Sequence, residues 1–337
     1  MKKYKAAIIG CGWIGVGAQL DLLRSKPASH AEAIVHNSRL DLVALADNNP
    51  DALRAAEQLY PSVKRFSSID EMFTFVKPEV IVIATHPDSH CKYIKLSAKA
   101  RVKLILCEKP ISHNLKESEE AIKVCEQNNV LLLVNHMRRF DTLIKTFKQY
   151  INQTYVKDTA LGRVRSVIAS YDNGLYHGGT HIVDLLRYFF GEVKAVSAVL
   201  NNKEPSTFGD LNIDAILQFE GFHAVLYFLN SKEYSHSELK IFGNEGIINL
   251  SNMWGVDIEI IGTKSCSDFS AYREPDLKNK RIFGGSRSFM VGTYEHIVDC
   301  LDGNDSPLCS GRDALETLRV LKFIERSVNK HGAMITL

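Results

Sequence analysis

The chain has 337 residues, 45% hydrophobic and 24% charged, with 41 basic against 39 acidic side chains and a formal net charge of +2. That near balance offers no footprint for nucleic acid or a membrane surface, and the length favours two domains, each able to bury a core. No apolar run reaches the roughly 20 residues of a membrane-spanning helix, and Met1-Lys2-Lys3 leads straight into a strand-like run rather than a signal peptide, so a cytoplasmic protein is expected.

The first element is the apolar run Ala6-Ala7-Ile8-Ile9, a short buried strand, followed at once by Gly10-Cys11-Gly12-Trp13-Ile14-Gly15. Where a parallel strand turns into a helix, the first glycine of G-x-G-x-x-G allows a tight turn and the second lets backbone approach a pyrophosphate. The third lets the helix pack on the strand, with the phosphates at its N-terminus. A ligand-free Gly-rich turn also fits these six residues. Strand candidates continue at 42–46, 80–84, 103–107 and 130–134, each rich in Val, Ile or Leu without clean alternation, as strands buried on both faces are. Helical patterns at 50–59, 90–100 and 115–128 separate them, giving a βαβ succession and a doubly wound parallel sheet.

Asp47 closes the second strand, in the place where a Rossmann carboxylate accepts hydrogen bonds from the adenosine ribose and repels a 2′-phosphate. Asn48, Asn49 and Pro50 follow, with no adjacent Arg or Lys, so NAD is preferred to NADP. Asp47 lies 32 residues after Gly15 rather than the usual distance of about 20, and residues 22–30 read as an insertion in the first crossover. Thr85, His86 and His90 follow the strand at 80–84, and Glu108-Lys109-Pro110 follows that at 103–107, both at carboxyl ends, where open α/β sheets bind ligands. Lys109 reads either as a solvated charge or as a donor to a substrate hydroxyl or its conjugate carbonyl. Glu108 has two readings, orienting a nicotinamide ribose or the lysine ammonium. Asn135 and Arg138 read as cleft-lining or plain loop residues.

Beyond about residue 150, strand patterns at 163–171, 193–200, 214–219, 223–229, 238–242, 246–250 and 256–261 lack regular intervening helices, the mark of a mostly antiparallel sheet. One helix interrupts them, with Thr180 as N-cap, an apolar face from Ile182 to Phe190 and Gly191 as its stop. Helical patterns at 288–301 and 312–329 end the chain. His177-Gly178-Gly179-Thr180-His181 places His181 in the first helical turn, where the dipole keeps the imidazole neutral and able to take an alcohol's proton. Asp184 lies on the same side as a partner or a dipole complement. A structural histidine is the plain alternative for His181 and His177. Zinc is not expected: Gly178-Gly179 argue against a continuous helix through His177, and no third ligand is evident. Seven cysteines, odd in number and without a C-x-x-C pair, favour reduced, buried thiols over a disulfide framework.

Together, Ile9 to Gly15, Thr85 with His90, Glu108-Lys109-Pro110, Gly179 to Tyr188 and Ser310 to Leu318 resemble the Gfo/Idh/MocA family of oxidoreductases over nearly the whole chain. The resemblance implies a Rossmann domain over 1–135 and an α+β domain with a large open sheet over 136–337, the last helices being candidates to pack back on the first domain. It implies NAD(P)-dependent oxidation or reduction of a hydroxyl on a sugar, polyol or nucleotide sugar, without metal. Gly10, Gly12, Trp13, Ile14, Gly15, Asp47, Thr85, His90 and Glu108 would bind cofactor; Lys109 and His181 would be catalytic. The family pattern has aspartate four residues before that histidine, whereas this chain has His177, left as a substrate contact or second proton acceptor. His86 stands where proline commonly follows the threonine. The rival readings are a redox sensor without turnover and a reductase of a non-sugar carbonyl or imine. The uncovered sheet face predicts a homodimer or homotetramer.

Overall fold

A computed structural model describes all residues except 1, 154–159, 203–205, 207–208, 252–256 and 286–287. It divides into two compact units, Met1–Phe140 with Ser288–Leu318, and Asp141–Arg287 with Arg319–Leu337.

The first unit is built on β1 (Tyr4–Ile9), α1 (His30–His36), β2 (Leu40–Ala46), α2 (Pro50–Leu59), β3 (Lys64–Phe66), α3 (Ile69–Val76), β4 (Val80–Ile83), α4 (Pro87–Lys99), β5 (Leu104–Cys107), α5 (Leu115–Gln127) and β6 (Leu131–Val134). Its six strands are parallel in the order β3-β2-β1-β4-β5-β6. Every residue of β4 and β5 is buried, which accounts for their unbroken apolar runs. The order reverses between β1 and β4, the switch point where doubly wound sheets open a ligand crevice. Asn49 and Asn114 cap α2 and α5 by accepting from main-chain N–H groups of the first turn. β3 and α3 were not foreseen: Lys64-Arg65-Phe66 has no apolar run and becomes a strand only through edge pairing to β2.

The second unit opens with α6 (Thr142–Gln153), also unforeseen although Leu143, Ile144, Phe147, Tyr150 and Ile151 recur at helical spacing and the Asp141 carboxylate accepts from the N–H groups of Leu143 and Ile144. Then come β7 (Val164–Tyr171), α7 (Thr180–Phe190), β8 (Ala195–Asn202), β9 (Asn212–Phe219), β10 (Phe222–Phe228), β11 (Leu239–Gly243), β12 (Gly246–Ser251), β13 (Asp257–Ser265), β14 (Arg273–Pro275) and β15 (Arg281–Gly284). Residue 256, expected to start a strand, lies outside the described residues. α8 (Phe289–Asp302) belongs to the first unit, α9 (Gly311–Asn329) contributes to both, and β16 (Ile335–Thr336) ends the second sheet. That sheet runs β14-β13-β12-β11-β7-β10-β9-β8-β16, with β15 on β13, and only the β7–β10 pair is parallel among these strands. Val167, Ala169 and Tyr171 of β7 point to the buried face with Ile213, Leu217, Leu226 and Ile241. On the opposite face Val199, Ile216 and Val225 stay exposed.

Candidate active site

The glycine loop leaves β1 where the backbone must turn hard. Gly10 has φ 104°, and a Cβ there would stand 2.5 Å from the carbonyl oxygen of Ala84. A Cβ on Gly15 would lie 2.0 Å from the oxygen of Gly10, so this glycine closes the turn on itself. Gly12 differs, because a Cβ there meets nothing within 4 Å. Internal packing explains two of the three glycines and leaves the middle one to something outside the protein. Among the described residues, the N–H groups of Gly12, Trp13, Ile14 and Gly15 find no protein acceptor, whereas those of Val16, Gly17 and Ala18 bond back to Gly12 and Trp13. Successive unpaired amides at the start of a helical turn form a site for anionic oxygens. Trp13 is exposed beside them, with the Arg24 guanidinium 5.7 Å from its ring centre.

The helix expected after this loop is interrupted. α1 starts at His30, whose N–H donates to Ile14 (3.0 Å) while that of Ala31 donates to Gly15 (2.9 Å). In an unbroken helix residues 18 and 19 would make those bonds, so twelve residues, 18 to 29, loop out of a continuous helical frame. Without them Asp47 falls 20 residues after Gly15, the ordinary spacing of about 20. Asp47 is held in place by the N–H groups it accepts from Cys11 (2.7 Å) and Asn49 (2.8 Å).

At the end of β4 the Thr85 hydroxyl meets that of Ser89 at 2.7 Å, and His86 precedes α4 on the surface. His90, expected at the cofactor, is wholly buried, its two ring nitrogens against the carbonyl oxygens of Pro110 (2.9 Å) and Thr85 (3.0 Å). Burial pushes its pKa down. Its ring therefore ties the loop after β4 to the loop after β5, which is a positioning role.

Glu108 is the most heavily engaged side chain of the site. Its Oε1 lies 3.0 Å from His30 Nε2 and accepts from Asn135 Nδ2 at 2.6 Å; Oε2 accepts from Lys109 N at 3.3 Å. The other ring nitrogen of His30 meets the Tyr294 hydroxyl at 2.8 Å, and Thr293 Oγ1 donates to Asn135 Oδ1 at 3.3 Å. Burial raises the Glu108 carboxyl, but the contact and charge of His30, then Asn135 and Lys109, outweigh it and hold the pKa down to about 2. Lys109, half-buried, follows directly. Sequence reasoning missed His30 and Tyr294; the available signal was a strand-end glutamate that needs partners. Arg138 is buried rather than on an open loop.

In the second unit the histidine motif adopts a helical path that the two glycines were expected to prevent. Leu175–Gly179 form a π-helical turn that runs into α7, with the N–H groups of Gly178 and Gly179 both donating to Gly174 at 3.0 Å. Thr180 is helical at φ −55° and ψ −36° and its hydroxyl finds no hydrogen-bond partner among the described residues, so it is the first residue of α7 rather than its N-cap, and His181 lies in that helix's first turn. The start is fixed from outside, where the Asp210 carboxylate accepts from the N–H groups of Tyr176 and His177. Gly178 is obligatory because a Cβ would lie 1.8 Å from the oxygen of Asp172. His177 is exposed; His181 and Asp184 are buried. Among the described residues no cluster of three or more His, Cys, Asp or Glu side chains could hold a metal ion, and no helix is long and apolar enough to cross a membrane.

Residues 4–136 match the model of the Gfo/Idh/MocA oxidoreductase family, NAD-binding Rossmann fold, and residues 173–337 match that family's C-terminal alpha/beta domain. The chain is 24% identical to a D-apiose dehydrogenase of Paraburkholderia graminis, covering 96% of this chain and 87% of that protein. It is 27% identical to an inositol 2-dehydrogenase of Rhizobium meliloti, covering 89% and 92%. Its fold matches the WlbA dehydrogenase from Bordetella pertussis, solved in complex with NADH and UDP-GlcNAcA, with TM-score 0.76 at 23% identity over 100% of this chain and 99% of that one.

Proposed function

The chain belongs to the Gfo/Idh/MocA oxidoreductase family, and from that premise we propose that it transfers a hydride between NAD and a secondary hydroxyl of a sugar, polyol or nucleotide sugar. The observation that carries the reading is the glycine loop, with the open side of Gly12 and four successive amides in search of an anion. NAD, when bound, supplies the hydride acceptor or donor. The amides of Gly12 to Gly15 hold its pyrophosphate, and Trp13 and Ile14 border the same loop. The Asp47 carboxylate takes the ribose hydroxyls, and because two main-chain N–H groups fix it, a 2′-phosphate would meet an immobile negative charge. Thr85 and Glu108 frame the crevice at the ends of β4 and β5. The Lys109 ammonium donates to the reacting oxygen and stabilises its developing charge, and the His181 imidazole takes or returns the hydroxyl proton. His177 stands as an exposed substrate contact or second acceptor. The substrate class follows the named relatives, which act on apiose and inositol. The exposed face of the second sheet pairs chains into a homodimer or homotetramer.

Titration with NADH and NADPH is the first test, with NADH expected to bind about tenfold or more tightly, or roughly 1.4 kcal/mol. Lys109→Ala should keep NADH binding and lose turnover with sugars and polyols. Full activity in that variant would sink the mechanism, and absence of binding to either nucleotide would sink the assignment of the glycine loop.

A further inference from the structure

The bonds around Glu108 fix where the hydrogens must be. With the carboxylate ionised, Oε1 can only accept, so the His30 nitrogen facing it at 3.0 Å carries a hydrogen. Burial, reinforced by the Glu108 charge, pushes the Tyr294 hydroxyl pKa well up, so it keeps its proton, and it lies 2.8 Å from the other ring nitrogen, Nδ1. His30 and Tyr294 are both fully buried, so these bonds face no competition from water. The His30 main chain also donates to Ile14 in the glycine loop. One residue at the restart of the interrupted helix thus joins the loop that would hold the phosphates, the carboxylate next to Lys109, and α8.

We propose that His30 and Tyr294 are positioning residues for Glu108 and Lys109, fixing the carboxylate through Oε1 and setting the place of the lysine relative to the glycine loop. The role rests on the reading of Lys109 given above. The arrangement follows the logic by which a hydrogen-bonded partner orients a working side chain that it never helps chemically. Oε2, with only the 3.3 Å contact from Lys109 N among the described residues, is the oxygen left for a ribose hydroxyl.

Among the described residues, the charged and titratable groups around Glu108 are His30 from α1, Tyr294 from α8, His90 from α4, Cys107 at the end of β5 and Lys109 on its own loop. Removing His30 takes away the largest influences that lower the carboxyl, and burial then raises its pKa. Glu108 becomes protonated below that raised value, so turnover falls as pH falls through it and returns above it. In the parent the carboxyl, held to about 2, contributes no such limb at working pH.

His30→Leu, His30→Gln and Tyr294→Phe, compared with the parent for NADH binding and for kcat and KM against pH, test the proposal. His30→Leu should lose on the order of 100-fold in kcat at neutral pH with KM for NADH little changed, and should gain an acid limb that Glu108 does not give the parent at working pH. His30→Gln, which keeps a donor to Oε1, should recover most of the rate and lack that limb, while Tyr294→Phe should show a smaller loss of the same kind. Parental kcat and no added acid limb in His30→Leu, or, if that variant does not fold, in Tyr294→Phe, overturns the proposal. If the parent neither binds NADH nor turns over, the functional reading falls. The brace is then judged by a carboxyl ¹³C titration of Glu108, and an unchanged midpoint in His30→Leu or, should that not fold, Tyr294→Phe overturns it.

Discussion

Gly10, Gly12 and Gly15 lie within six residues and answer to three different constraints. Alanine at Gly10 would strain a left-handed φ and meet the Ala84 carbonyl, and alanine at Gly15 would meet the Gly10 carbonyl. Each is expected to cost about 1 to 3 kcal/mol or more, read as a lowered Tm. Gly12→Ala enters open space and should hold stability or raise it by about 0.4 to 1 kcal/mol, while weakening NADH binding through a methyl placed where the pyrophosphate approaches. Equal Tm losses at all three positions, or unweakened NADH binding in Gly12→Ala, would contradict this division. The G-x-G-x-x-G pattern is legible in six letters. Which glycine serves the fold and which the ligand is not, because Ala84, at the end of another strand, decides it.

At the scale of elements, the first crossover helix is one helix with a loop inserted, since His30 and Ala31 bond to Ile14 and Gly15 as though residues 18 to 29 were absent. Joining Gly17 directly to His30 should therefore give a folded protein with parental helical circular dichroism and NADH affinity retained within about threefold, below 1 kcal/mol. Loss of cooperative unfolding in that deletion would show that the loop carries the fold. The insertion was readable from composition and from the late Asp47; its precise ends were not, because they are set by two main-chain bonds. Gly178 and Gly179 misled in the opposite way. Their helix-breaking tendency is overridden by the Asp210 carboxylate and by the tight approach to Asp172, and both partners lie outside the motif.

For the whole molecule, the proposed assembly rests on the open face of the second sheet. Val225 of β10 pairs with Ile216 of β9 and Ile168 of β7, an apolar row on the side away from the buried core, and Val199 is exposed on the same sheet. Leaving such a face in water forgoes about 25 cal/mol per Å² of apolar burial, and a self-complementary patch is what a two-fold dimer uses. Light scattering should give two or four chains for the parent, and Ile216→Glu combined with Val225→Glu should shift it to one chain without loss of secondary structure. A monomeric parent, or an unshifted double variant, would refute the interface.

The sequence by itself determined five of the six strands of the first sheet, since burial on both faces leaves an unmistakable apolar composition, and it singled out Asp47, Glu108, Lys109 and His181 as candidates, since short motifs keep their chemistry within a few residues. The edge strand β3, the helical course of residues 175–179 and the partners of Glu108 came only with the tertiary structure. His30, Glu108, Asn135 and Tyr294 share no periodicity along the chain. Their bonds exist because parallel strands and packed helices bring distant residues to one point, and a linear pattern has no term for that distance.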